Sequence, residues 1–202
     1  MERPADTTIY RLVHRAMVAS AERLAATAAR PDHDRDALAQ WATGFTAELR
    51  WHQAEEDAIG FPQLLERVPA VTTIVERLDA DHRELDVLLD ELDEALASRE
   101  DVAAIAGRLH DLLAAHVFDE DVNVAPLIER HLSYDEHLGA QVAAAARLPL
   151  REAAWTVPWL LAACSPEERP LVESVLPERL VSIDRLCARR YRCLERAAFG
   201  MS

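Results

Sequence analysis

Two short runs hold the residues that could do chemistry. WHQAEEDAIGFP carries His52, Glu56, Asp57 and Pro62, and AHVFDEDVNVAP carries His116, Glu120, Asp121 and Pro126. Each matched pair is 64 residues apart, which marks an internal repeat. A lone histidine precedes each run, His14 in the first half and His82 in the second. On a helix, residues four apart share a face, with Cβ atoms roughly 5–6 Å apart. His52 and Glu56 can therefore reach one point, and so can His116 and Glu120. Their neighbours on that face are apolar: Leu49 and Ile59 for the first pair, Leu112 and Leu113 for the second. His82 lies between Leu78 and Leu85, and His14 has Met17 and Val18 a turn away. All six polar groups are expected to point inward.

Ionised carboxylates in an apolar interior are strongly unfavourable unless something offsets them. The nearby arginines fall on other helix faces, which leaves metal ions. Four imidazoles and two carboxylates form a nitrogen–oxygen set suited to iron, manganese or zinc rather than calcium or magnesium. Two carboxylates from opposite halves are placed to bridge two metals. Glu55 and Asp57 are expected to face solvent or to support the ligands from outside.

Helical periodicity predicts the elements that must position these groups. A first helix is expected over residues 6–29, capped by Asp6 or Thr7. A second carries Leu38, Trp41, Phe45, Leu49 and His52 on one face and should be disturbed at Gly60-Phe61-Pro62. A third is expected over 70–98, with Ile74, Leu78, Leu85, Leu89 and Leu92 inward, and a fourth from a cap at Asp101, past Pro126, to about 132. The fold class is all-α: an antiparallel up-down-up-down four-helix bundle over residues 1–132. Residues 133–202 read as a C-terminal helical extension, packed on the bundle or forming an interface. Short pieces there are broken by prolines 149, 158, 166, 170 and 177, with a longer last helix over 177–198.

The composition excludes several function classes. Five glycines in 202 residues leave no phosphate-binding loop, and no His-Glu-x-x-His run is present. A net charge of −14 repels phosphate backbones and anionic lipid, so neither nucleic acid nor a membrane is expected as partner. No apolar run approaches the roughly 20 residues needed to span a bilayer. The N-terminus lacks the basic and apolar segments of a signal peptide. Three cysteines, 164, 187 and 193, form no paired motif, which fits a reduced, cytoplasmic protein. They are read as buried thiols, although arginines flank Cys187 and Cys193. Tyr10 is one turn before His14; it either reaches the pocket or caps the bundle end. Glu48, one turn before His52, either orients that imidazole or lies on a solvated helix face, the second being the reading taken; His33 and His110 are read as peripheral, and His131 and His137 as flanking a helix end. The run 91–94 reads as an exposed acidic face.

The order His14, His52-x-x-x-Glu56, His82, His116-x-x-x-Glu120 resembles the hemerythrin-like, HHE cation-binding proteins over residues 7–132. The Glu-Glu…Phe-Pro run after His52 is similar to that family's pattern as well. The resemblance implies a four-helix bundle around a non-haem di-iron centre, two iron ions with an oxo or hydroxo bridge. Such a centre meets dioxygen, nitric oxide or hydrogen peroxide. Two histidines would serve each iron, and Glu56 and Glu120 would bridge them. The chain departs from the oxygen-carrying hemerythrins at two places. Their third helix has His-x-x-x-His, where this chain has Asp86 after His82. Their fourth-helix acid is an Asp five residues after its histidine, where this chain has Glu120 four after His116. With one bridging oxygen each iron then has five ligands and one open position, which favours redox turnover over reversible oxygen carriage; a coordinating Asp86 would close one of them. The expected function is to bind or reduce a small oxidant, with a reductase partner and a homo-oligomer both compatible. The alternatives are an oxidase or oxygenase of an organic substrate, with the region after 133 roofing a pocket, and a metal-dependent sensor or interaction module.

Overall fold

The computed structural model describes residues 3–200, and every named element among them is a helix. Helices α1 (Thr8–Ala28) and α2 (Arg35–Glu55) come first. A π-helical turn, Glu56–Gly60, joins α2 to α3 (Phe61–Arg67), and a 3-10 turn, Pro69–Val71, leads into α4 (Thr72–Ser98). Then follow α5 (Ala103–Asn123), α6 (Ala125–His131), α7 (Tyr134–Arg147), α8 (Leu150–Ala163), α9 (Glu168–Val175) and α10 (Glu178–Phe199).

Local chemistry sets these limits. Aspartates accept the free N–H groups at three helix starts: Asp6 from Thr8 at 3.0 Å, Asp34 from Ala37 at 3.0 Å and Asp101 from Ala103 at 2.9 Å. Ser133 and Glu136 form a reciprocal capping box at the start of α7. The disturbance expected at Gly60-Phe61-Pro62 begins earlier, at Glu56. Pro62 has no N–H to give, and the Phe61 N–H reaches back five residues to the Glu56 carbonyl, widening the turn. Pro158 and Pro170, expected to break the chain, lie inside α8 and α9. Pro170 occupies the first turn of its helix, where the missing N–H has no partner in any case. Pro158 is buried within α8, between the core residues Val157 and Trp159.

Helix α1 packs along α5, α5 along α4, and α2 against α4, while α8 and α10 lie on α2. The largest apolar cluster joins Met17 and Leu24 of α1, Trp41 and Phe45 of α2, Leu89 of α4, Leu109 of α5, Trp159 of α8 and Phe199 of α10. A second gathers Phe61, Leu64, Leu78, Val124 and Ile128. A third joins Leu12 to Leu148, Val157, Leu161, Val172 and Leu180. Each fully buried leucine contributes about 1.5–3 kcal/mol. Along α2, α4 and α5 the histidines and glutamates fall between members of the first and second clusters, so a polar layer divides the apolar interior. Among the described residues no helix is long and apolar enough to cross a membrane.

Candidate metal centre

The six side chains singled out above converge in that layer. His14 comes from α1, His52 from the last turn of α2, His82 from α4, and His116 and Glu120 from α5. Glu56 is the first residue of the π turn, a local widening that recurs at functional sites. His14 and Glu120 are fully shielded from solvent, and Glu56, His82 and His116 are buried; His52 is the most open of the six.

Donor atoms form two groups. His14, His52, Glu56 and Glu120 make one; His82, His116, Glu56 and Glu120 make the other; within each the atoms lie inside 4.8 Å of one another. Both glutamates belong to both groups. His52 Nε2 is 3.2 Å from Glu56 Oε1, His14 Nε2 is 3.4 Å from Glu120 Oε2, and His116 Nε2 is 3.3 Å from Glu120 Oε2. Nε2 of His82 faces Nε2 of His116 at 3.2 Å.

These atoms are close, yet most do not bond. His14 Nε2, His52 Nε2, Glu56 Oε2 and both carboxylate oxygens of Glu120 are buried without a hydrogen-bond partner. Buried polar atoms left unpaired each cost about 1–3 kcal/mol. Lone pairs and charges crowded at one place without pairing are what a bound cation would satisfy, and imidazole with carboxylate is a donor set for a transition metal. The residues present therefore fit a metal.

Without a cation, protons take its part. Burial alone would lower the His14 pKa, but the bond to Asp121 and the nearby Glu56 and Glu120 carboxylates outweigh it and raise it to about 10. Burial likewise opposes, and Glu56, Asp57 and Glu120 override, a rise of His82 to about 9. His116 moves upward for similar reasons, with Glu120 as its main partner. Burial pushes Glu56 up, but the surrounding histidines, His52 foremost, hold it well below the usual carboxylate range.

An outer layer aims the imidazoles. His14 Nδ1 meets Asp121 Oδ1 at 3.0 Å, and His82 Nδ1 meets Asp57 Oδ1 at 3.0 Å. The pattern is reciprocal: each lone histidine of one half is held by the aspartate that follows the glutamate in the other half. Such a bond turns Nε2 toward the centre. Asp57 thus takes the supporting option expected for it. Sequence reasoning assigns Asp121 no role, though the aspartate after the glutamate in both copies of the repeat, Asp57 and Asp121, is the available signal. It sits five residues after His116, yet it contacts His14 and lies in neither donor group. Asp81 Oδ2 is 3.5 Å from His116 Nδ1, without hydrogen-bond geometry.

Tyr10 reaches the pocket: its hydroxyl donates to Glu56 Oε1 at 3.1 Å, and burial together with Glu120 and Glu56 pushes its pKa well above the ordinary value. Asp86 is exposed and belongs to neither group, so it closes no position. Glu48 is not solvated as expected. It is buried under α8, where Thr156 Oγ1 donates to it at 2.6 Å and burial raises its pKa. His137 is also buried, within the first turns of α7, bonded to Gln141, and burial lowers its pKa. Cys193 is exposed rather than buried, and burial pushes the Cys164 thiol up to about 11. In the acidic run 91–94, Leu92 is core, and Glu91 and Asp93 pair with Arg108 and Arg50.

Compared with protein-family models, residues 6–128 match the hemerythrin HHE cation binding domain. No curated protein and no solved structure matches the chain.

Proposed function

Because the chain belongs to the hemerythrin HHE cation-binding domain family across residues 6–128, we propose that it holds two iron ions and binds or reduces a small oxidant: dioxygen, nitric oxide or hydrogen peroxide. The observation that carries this reading is the pair of donor groups sharing Glu56 and Glu120. One ion would be held by His14 and His52, the other by His82 and His116, with both glutamates common to the two. Each ion then has four protein ligands, short of the six of an octahedral site, which leaves room for a diatomic molecule. Iron in such a site supplies one-electron redox chemistry and Lewis acidity.

The chain's own residues do the rest. Asp121 and Asp57 fix the imidazole orientation. Tyr10 donates to Glu56 and sets that carboxylate's position. Leu78, Phe61 and Val124 on one side and Leu49, Leu85 and Leu113 on the other exclude bulk water, which strengthens every charge interaction between them. The reading includes an antiparallel up-down-up-down bundle of α1, α2, α4 and α5. It is supported by chain direction: α1 and α4 run from the second apolar cluster toward the first, and α2 and α5 run the other way. Residues 1–132 would form the bundle and 133–202 the extension. Free thiols support a reducing, cytoplasmic setting, and repeated turnover would draw on a reductase partner. Anaerobic reduction of iron-replete protein, followed by dioxygen or nitric oxide, should produce new near-ultraviolet or visible bands. An unchanged spectrum under both gases rules the reading out.

A second reading, oxidation of an organic molecule at the same centre, is favoured by one observation: an apolar cavity opens against it.

A further inference from the structure

Folded interiors pack to the density of organic crystals, and voids larger than a water molecule are few. This chain has a cavity of about 210 Å³ beside the centre. Tyr10, His52 and Glu56 line it from the side of the donor groups. The opposite wall comes from α7 to α10, through Leu148, Leu160, Val172 and Leu180 among others. Its origin is legible in α7. That helix turns Ala140, Ala144 and Ala145 toward the cavity, and methyl groups leave unfilled the space that larger side chains would occupy. Helix α7 also makes few close contacts with any other element, so it forms a thin cover.

We propose that this cavity binds one compact, uncharged, mostly apolar organic molecule beside the candidate metal centre. The size follows from volume: a cavity of roughly 150 Å³ lined by apolar groups stays dry and takes benzene, so this one suits about eight to ten non-hydrogen atoms. The class follows from the walls. They are overwhelmingly aliphatic and aromatic, which disfavours water as the occupant. No arginine lines the cavity, while Glu48, Glu55 and Glu56 do, so in the metal-stripped protein an anionic ligand would meet carboxyl groups and no guanidinium. Glu48 and Thr156, bonded to each other at the wall away from the donor groups, give a polar spot for a hydroxyl or carbonyl of the guest. The binding does not rest on the proposed metal centre being loaded.

The test is calorimetric titration of the full chain with naphthalene and with the anion 1-naphthoate, on metal-loaded and metal-stripped protein. Naphthalene should bind one-to-one and saturably to both forms, and 1-naphthoate at least tenfold more weakly to the metal-stripped form. Ala144→Phe fills the cavity from α7 and should weaken naphthalene binding at least tenfold. Ala143→Phe, on the exposed side of the same helix, should leave it unchanged. Ala140→Leu provides a milder filling variant should Ala144→Phe misfold by circular dichroism. Absent saturable binding, equal binding by the filled variants, or equal affinity of the metal-stripped form for the anion overturns the proposal. A chain that binds naphthalene but takes up no iron sinks the metal reading and leaves the cavity standing; the converse separates them the other way.

Discussion

Replacing Asp121 should weaken one metal position without unfolding the protein. The carboxylate touches two partners: His14 Nδ1 at 3.0 Å, and Arg11, whose Nη1 is 3.6 Å from Oδ1. Arg11 has a side chain 37 % exposed and also donates to the Asp121 carbonyl, so water and that backbone bond satisfy it once the carboxylate is gone. His14 is fully buried and has no such recourse. Its ring would lose the bond that orients Nε2 and the charge that raises its basicity. Partners of this kind are worth about 10–100-fold in metal affinity, or about 1.4–2.7 kcal/mol. Asp121→Ala should fall near the upper end and Asp121→Asn, which keeps an acceptor but no charge, near the lower. The equivalent Asp57→Ala should cost less, because the Asp57 side chain is 43 % exposed and that of Asp121 30 %, so water screens the Asp57 bond to His82 more. Chelator-competition titration with metal counted per chain reads this directly, and a thermal melt of the metal-free variants controls for folding. Affinities within twofold of the parent for well-folded Asp121→Ala and Asp57→Ala would refute the role assigned to both aspartates.

The metal-free protein should lose thermal stability as pH rises from 6.5 to 10. His14 and His82 have folded pKa values of about 10 and about 9 against 6.5 unfolded, so their contribution is whole below 6.5 and disappears as pH climbs through the folded values. Glu56 is depressed, so its contribution exists above 4.5 and is lost on acidification. The metal-loaded form, whose ligand imidazoles carry no proton on Nε2, should not show the alkaline loss; calorimetric melts at several pH values compare the two, and a parallel decline in both would count against the assignment. Trp41→Ala should cost about 3–5 kcal/mol in urea unfolding, since its ring is fully buried against Phe45, Trp155 and Phe199. Gly44→Ala should destabilise by about 1–2 kcal/mol in the same assay, because about 1 kcal/mol of helix propensity is outweighed by overpacking. An added Cβ there would lie 2.5 Å from the Trp155 indole, itself wedged against Trp41, Trp159 and Tyr191.

Local pattern carried the helices and the inward residues. The three-and-four spacing of Leu38, Trp41, Phe45 and Leu49 describes one face of α2, and all four are buried. The repeat brought out six residues, and those six side chains gather within two overlapping groups. What escaped depends on partners distant in sequence. Glu48 looks solvated by its neighbours in the chain, but Thr156 covers it, 108 positions later. Asp121 lies in the repeat, but its partner is His14 on another helix, and no periodicity encodes that pairing. Pro158 reads as a breaker because the local rule omits the packing that holds α8 together. The aromatic contacts that seat α10 on α2, Trp41 with Phe199 and Tyr191, likewise join residues that no local window contains.

Iron content of freshly purified protein, compared with that of Glu56→Ala/Glu120→Ala, tests the central claim most directly. Two ions per chain in the parent and none in the variant is the result this account predicts. A parent without metal, or a folded variant that keeps the full complement, would contradict it.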